Sequence, residues 1–162
     1  MADLYKKAKK IKLVATDIDG VWTDARMYVT PDGTWMKAFS TYDGMAVSML
    51  KKKGIMVAIL TSENTDIVLA RAKMLEIEEV YVDEHEKLKR LIYLSKKYEI
   101  SMDEVAYIGD DINDIDTLKA VGLSAMAGNS PILDQLKPDY VTILHGGQGA
   151  FREFADIILK AQ

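Results

Sequence analysis

The stretch Lys12–Asp24, KLVATDIDGVWTD, decides how the chain folds. An apolar segment runs straight into two carboxylates, Asp17 and Asp19, one residue apart, with Gly20 directly behind them. In open α/β sheets ligands bind outside the carboxyl ends of buried strands, so a buried run that ends in acids is a candidate site. Two like charges this close repel and raise each other's pKa, so aiming both at one place calls for a use.

Working outward, short apolar runs alternate with helix-like segments to the end of the chain. The expected strands are Ile11–Thr16, Ile55–Leu60, Val80–Val82, Val105–Ile108, Leu123–Ala127 and Tyr140–Ile143. Several are almost wholly apolar, as strands buried on both faces of a parallel sheet are. The expected helices are Met45–Lys53, Thr65–Leu75, Glu86–Tyr98, Asp114–Val121, Pro131–Leu136 and Ala150–Lys160. Ser130 before Pro131 reads as an N-cap, SMDE at Ser101–Glu104 has capping-box spacing, and Gly54 and Gly122 stand where helices stop. The pattern predicts a doubly wound, mainly parallel α/β sheet with helices on both faces.

One segment breaks the alternation. Between Asp24 and Ser40, Pro31–Gly33 forms a turn signal between two β-prone runs, which predicts a β-hairpin insertion at about residues 25–40. Met27, Tyr28, Val29, Trp35, Met36 and Phe39 make it too apolar to be left bare, so it is expected to be buried against another subunit or over the site.

The strand ends supply a test of the site. The first run ends in Asp17 and Asp19, the second in Thr61, Ser62 and Glu63, the fourth in Asp110 and Asp111. Converging carboxylates need their repulsion offset, and an oxygen-loving cation such as Mg²⁺ does so. The only two histidines, His85 and His145, form no competing cluster. Lys87 opens the helix before the strand carrying Asp110, so it can reach the same edge. Carboxylates, one lysine, a threonine hydroxyl and a magnesium ion are the parts phosphoryl transfer uses.

Composition bounds the rest. A chain of 162 residues, 49% hydrophobic and 28% charged, is expected to form one domain over 1–162. With no cysteine it has no disulfide or thiolate site. Its apolar runs fall far short of the roughly 18 residues a membrane span takes, and its opening lysines lead into no secretory apolar region, so a cytoplasmic location without a membrane partner is expected. The net charge of −4 argues against nucleic acid as the main partner.

DIDGVWTD, ILTS, Lys87 and IGDDINDID appear in the order of the four motifs of the haloacid dehalogenase superfamily, which the chain resembles over essentially its whole length. The gaps between motifs are too short for the cap domain most members insert. Together with the hairpin, YDGMAV at Tyr42–Val47 and GGQGAFRE at Gly146–Glu153, this is similar to the capless branch acting on 8- and 9-carbon 3-deoxy-ulosonate phosphates. The resemblance implies a Mg²⁺-dependent phosphatase with an aspartyl-phosphate intermediate. It implies Asp17 as nucleophile and Asp19 as the acid that protonates the leaving alkoxide and then activates water. It also implies Mg²⁺ on the Asp17 side chain, the Asp19 carbonyl and Asp110, support from Asp111 and Asp114, and Thr61, Ser62 and Lys87 on the phosphate. A homotetramer built by the hairpin and a tail at about residues 145–162 is implied as well.

Substrate length stays open between 3-deoxy-D-manno-octulosonate 8-phosphate and 2-keto-3-deoxynononate 9-phosphate. Glu63 and Trp22 resemble the nonulosonate side, whereas Met74 stands where those enzymes pair the glutamate with a lysine, and octulosonate enzymes often carry arginine at Gln148. Arg71 and Arg152 are candidates for a sugar carboxylate. The alternative of another class is a non-catalytic tetramerisation module, of the kind attached to acylneuraminate cytidylyltransferases; intact motifs argue against it. A phosphate-accepting receiver domain is a third reading, disfavoured by the Asp17, Asp19 pair.

Overall fold

The computed structural model describes residues 2–162. Six parallel strands form its main sheet: β1 (Leu13–Thr16), β4 (Met56–Leu60), β5 (Glu79–Tyr81), β6 (Val105–Gly109), β7 (Leu123–Met126) and β8 (Tyr140–Val141), while β2 (Tyr28–Val29) and β3 (Trp35–Met36) pair as a separate antiparallel ribbon. The order across the sheet is β5-β4-β1-β6-β7-β8. The chain leaves β1 toward β4 on one side and later fills β6 on the other, with Val14 level with Val57 and with Ala106. That reversal puts the switch point of the fold at the end of β1, where ligand crevices open.

Helices α1 (Ala2–Ala8), α2 (Thr41–Lys52), α3 (Asp66–Met74), α4 (Lys87–Lys97), α5 (Ile115–Ala120) and α6 (Ala150–Ala161) cover both faces. Alternation along the strands sorts the core into two layers. Val14, Val57, Ile59, Ala106 and Ile108 pack with α1, α2, α3 and α6, and Leu13, Ala15, Leu60, Val105 and Tyr107 pack with α4 and α5. Trp22 belongs to the first layer. It is fully buried, its ring centroid 4.9 Å from that of Phe151, and its indole N–H donates to Thr16 Oγ1 at 3.0 Å.

Two elements differ from the expectation. The helix expected over Pro131–Leu136 is a run of turns. Ser130 accepts from Ile132 N–H but gives its own hydroxyl proton to the Asp110 carbonyl at 2.5 Å, and Pro138 ends the segment before a helix can propagate. Conversely, α1 was not expected, although Leu4, Ala8 and Ile11 bury at helical spacing. Of the two glycines read as helix stops, Gly54 takes φ +74°, but Gly122 is required for close approach, since a Cβ there would lie 2.1 Å from the Asp103 carbonyl.

The ribbon is only two residues per strand, and Met27, Tyr28, Val29 and Met36 on it are exposed. The tail does not project from the molecule. Gly147 N–H donates to the Val21 carbonyl, and Phe151, Phe154, Ala155 and Ile158 of α6 are buried in the core.

Candidate active site

β1 delivers Asp17 to the switch point, and the chain turns at once: Val21, Trp22 and Thr23 N–H all point at the Ile18 carbonyl. Gly20 sits at φ +85° in this turn, where a Cβ would lie 1.8 Å from Asp110 Oδ2. Glycine is therefore what lets the loop after β1 close onto the carboxylate delivered by the neighbouring β6.

Asp17, Asp110 and Asp114 are buried, with carboxylate oxygens within 4.8 Å of one another. Asp17 Oδ1 accepts from its neighbour Ile18 N–H at 2.7 Å, and Oδ2 meets Lys87 Nζ at 2.9 Å. Lys87, itself 2% exposed, also donates to Asp114 Oδ1 at 2.7 Å. Tyr107 OH donates to the same Asp114 oxygen at 2.6 Å, and Asp110 and Asp111 N–H both donate to Asp114 Oδ2. Each oxygen of Asp114 thus takes two donors, which leaves it no lone pair for a ligand. Asp114 is a brace for Lys87 and for the β6 loop.

One cation for three buried acids leaves the cluster short of positive charge. Burial, then the charge of Asp114, pushes Asp17 up to about 7 against the pull of Lys87. Burial and the charges of Asp17, Asp114 and Asp111 push Asp110 up to about 8. Burial works against the charge of Lys87, but Asp17 and Asp114 outweigh it and its pKa is raised. Burial, and then Asp114, holds Tyr107 well above its ordinary value, so it stays a donor. Asp110 Oδ1 is buried with no hydrogen-bond partner, which is costly unless something binds there. A hard divalent cation fits: the donors are carboxylate oxygens alone, and Asp17 and Asp110 have acceptor capacity to spare.

Asp19 faces another way. Both its oxygens lie 2.6 Å from Lys37 Nζ, which also meets Glu63 Oε2 at 2.5 Å. Lys37 follows β3 and was not singled out by the sequence reading; a lysine on a ribbon reads as solvated. Thr61, 1% exposed at the end of β4, has its hydroxyl oxygen 3.4 Å from Glu63 N–H, and Ser62 accepts from Asn113 Nδ2 at 3.0 Å. Asn113 and Tyr107 were missed too. Tyr107 lay inside an apolar run where a tyrosine reads as packing.

Other expected residues stand elsewhere. Asp111 is exposed and caps its own turn through Ile112 N–H. Arg71 donates to the Ser40 carbonyl at 3.3 Å and lies against Phe39; Arg152 pairs with Asp156; Gln148 is exposed. Asp43, fully buried, accepts from Arg152 N–H at 2.8 Å, supplying the start of α6 with a cap that Gly149 cannot. Burial raises it to about 6, with that hydrogen bond and Arg71 pulling down. Trp22 is too deep in the core to read a sugar. A cavity of about 270 Å³ between Lys51, Met56, Glu79 and Tyr98 is at the opposite ends of the strands and holds none of these residues.

Residues 35–122 match the family described as haloacid dehalogenase-like hydrolase. The chain is 36% identical over 159 residues to 3-deoxy-D-manno-octulosonate 8-phosphate phosphatase of Haemophilus influenzae, spanning 98% of this chain and 88% of that one. It is 38% identical to its namesake in Escherichia coli, over 99% of this chain and 86% of that one. Among solved structures it is similar to the Moraxella catarrhalis phosphatase of the same name in complex with magnesium, phosphate and KDO, with TM-score 0.96, 39% identity and coverage of 100% and 93%. It is also similar to the cobalt-bound Haemophilus influenzae enzyme, with TM-score 0.91, 36% identity and coverage of 96% and 91%.

Proposed function

We propose, for a chain that belongs to the haloacid dehalogenase-like hydrolases and is a phosphoric monoester hydrolase, that its substrate is 3-deoxy-D-manno-octulosonate 8-phosphate and its cofactor Mg²⁺. The observation that carries the phosphoryl-transfer reading is the buried Asp17, Lys87, Asp114 and Asp110 group at the switch point, with one Asp110 oxygen left unpartnered. The 8-carbon sugar is favoured over the 9-carbon one by the named activity of the relatives. The non-catalytic module loses ground for the same reason. Glu63 no longer asks for a partner at Met74, because Lys37 of the same chain supplies it.

Asp17 is the nucleophile. Ile18 N–H on one oxygen and Lys87 on the other hold its carboxylate in one orientation for in-line attack. Lys87 spends two protons on Asp17 and Asp114 and keeps a third for a phosphoryl oxygen, with Thr61 and Ser62 at the neighbouring strand end. As the Asp17 oxygen bonds to phosphorus the sugar oxygen leaves and takes a proton from Asp19. The resulting aspartyl-phosphate is opened by water, whose proton returns to Asp19, releasing phosphate and free Asp17. Mg²⁺, when held by the Asp17 and Asp110 carboxylates and the Asp19 carbonyl, would offset the negative charge that gathers on the phosphoryl oxygens.

The exposed apolar side of the ribbon supports a homotetramer in which that side is covered, to be read by sedimentation. Among the described residues no helix is long and apolar enough to cross a membrane. The deciding assay is phosphate release from octulosonate 8-phosphate, nononate 9-phosphate and N-acetylneuraminate 9-phosphate, with and without Mg²⁺. The 8-phosphate should lead by at least about tenfold in kcat/KM, a difference of about 1.4 kcal/mol in transition-state binding. Equal slow rates on all three and on simple sugar phosphates would remove the dedicated substrate.

A further inference from the structure

We propose that Lys37 is a positioning residue that aims the Asp19 carboxyl at the leaving-group oxygen, so that the ribbon is a working part of the site. The proposal rests on the phosphatase reading above. Asp19 needs such help. It stands at the mouth of the site, 28% exposed, and within its own loop only the Thr23 hydroxyl reaches it, at 3.2 Å. An acid of this kind is useful only if its proton meets the departing oxygen, and a small misplacement costs rate steeply.

Lys37 supplies the restraint. Its side chain is wholly enclosed, although its neighbours Met36 and Ala38 are exposed. Burying an ammonium costs several kcal/mol unless it is paired, so this lysine is turned inward for its partners. Nζ contacts both Asp19 oxygens and Glu63 Oε2, which occupies all three of its protons. The grip on two oxygens of one carboxylate fixes rotation about the last side-chain bond of Asp19; in its acid form one of those oxygens carries the proton to be delivered and still accepts from Nζ through its remaining lone pair. Glu63 ties the lysine to the loop after β4, and the Trp35 ring, 5.4 Å from Nζ, closes another side. A lysine whose donors are all engaged has none to offer a phosphoryl oxygen, which separates its role from that of Lys87.

The test compares substrates that differ in their need for an acid. An alkyl phosphate, octulosonate 8-phosphate, must have its leaving oxygen protonated, whereas p-nitrophenyl phosphate leaves as a stable phenolate. In the Mg²⁺-loaded enzyme, Lys37→Met should lower kcat/KM on the alkyl phosphate by about 100-fold, the lower end of what general acid catalysis supplies, and on the aryl phosphate by less than about fivefold. Lys37→Arg should recover most of the loss. In an Asp19→Asn background, Lys37→Met should add little, since the group it positions is gone. Should Lys37→Met not fold, as judged by its melting curve, the same ratios are read on Lys37→Gln. Equal losses on both substrates, or an undiminished effect in the Asp19→Asn background, would overturn the proposal and leave Lys37 as an anchor of the ribbon or a substrate ligand. If Asp19→Asn itself fails to discriminate between the two substrates, the fault lies in the acid role of Asp19, a separate result.

Discussion

Held in EDTA, this protein should lose stability between pH 5 and pH 8 through Asp17 and Asp110, and adding Mg²⁺ should offset that loss. Asp17 and Asp110 are raised from 3.8 to about 7 and about 8, by burial first and then by neighbouring charge, that of Asp114 on Asp17 and those of Asp17 and Asp114 on Asp110. A carboxylate raised on folding contributes stability that is fully present below its unfolded pKa and is lost as pH rises through the folded value. Between pH 5 and pH 7 both groups hold protons when folded and release them on unfolding. Each then lowers stability by about 1.4 kcal/mol per pH unit, an upper bound of about 2.7 kcal/mol per unit for the pair. A divalent cation on the two carboxylates replaces those protons, so Mg²⁺ binding should strengthen from pH 5 to pH 8. At a hundredfold excess over its dissociation constant the ion adds about 2.7 kcal/mol. For a chain of this length that is a rise of about 5–10 °C in melting temperature at pH 8, shrinking toward zero at pH 5. The assay is thermal unfolding at both pH values, in EDTA and in excess Mg²⁺. An equal Mg²⁺ shift at both pH values, or none at either, would refute the linkage and with it the assignment of Asp17 and Asp110 as the metal's carboxylates.

Asp17→Asn should abolish phosphate release while leaving the circular dichroism spectrum intact, and it should raise the melting temperature in EDTA at pH 8 because one uncompensated charge is gone. Asp43→Asn keeps an oxygen for Arg152 N–H but removes a carboxylate raised to about 6. Ionising that group at pH 8 costs the fold about 3 kcal/mol, so the variant should melt higher than the parent at pH 8 and alike at pH 4, as read by calorimetry. Trp22→Phe loses the bond to Thr16 and part of the packing on Phe151. It should cost about 1–3 kcal/mol in urea denaturation, with the ratio of activities on 8- and 9-carbon substrates unchanged; a changed ratio would return Trp22 to the sugar.

Much of the architecture was legible because burial on both faces writes apolar runs into the chain, and the acids that follow Thr16, Leu60 and Gly109 mark the strand ends. Pro131–Leu136 misled because local start signals say nothing of a competing long-range bond, here the one from Ser130 to the Asp110 carbonyl. The short helix α1 was overlooked because five lysines in the opening thirteen residues mask three buried positions.

By itself, the sequence determined which chemical groups the chain owns and the order in which strands present them, since side-chain alternation and turn chemistry are local properties. Only the tertiary structure decided which of those groups meet. Asp114, rather than its neighbour Asp111, turns inward to brace Lys87, because four donors from three separate segments converge on it. Arg71 and Arg152 lie against the chain's own helices. Lys37 reaches Asp19 across a gap of 18 positions, a pairing no local pattern specifies. Asp17 and Asp19 sit one residue apart, yet each faces its own lysine, because the turn after β1 points their side chains in different directions.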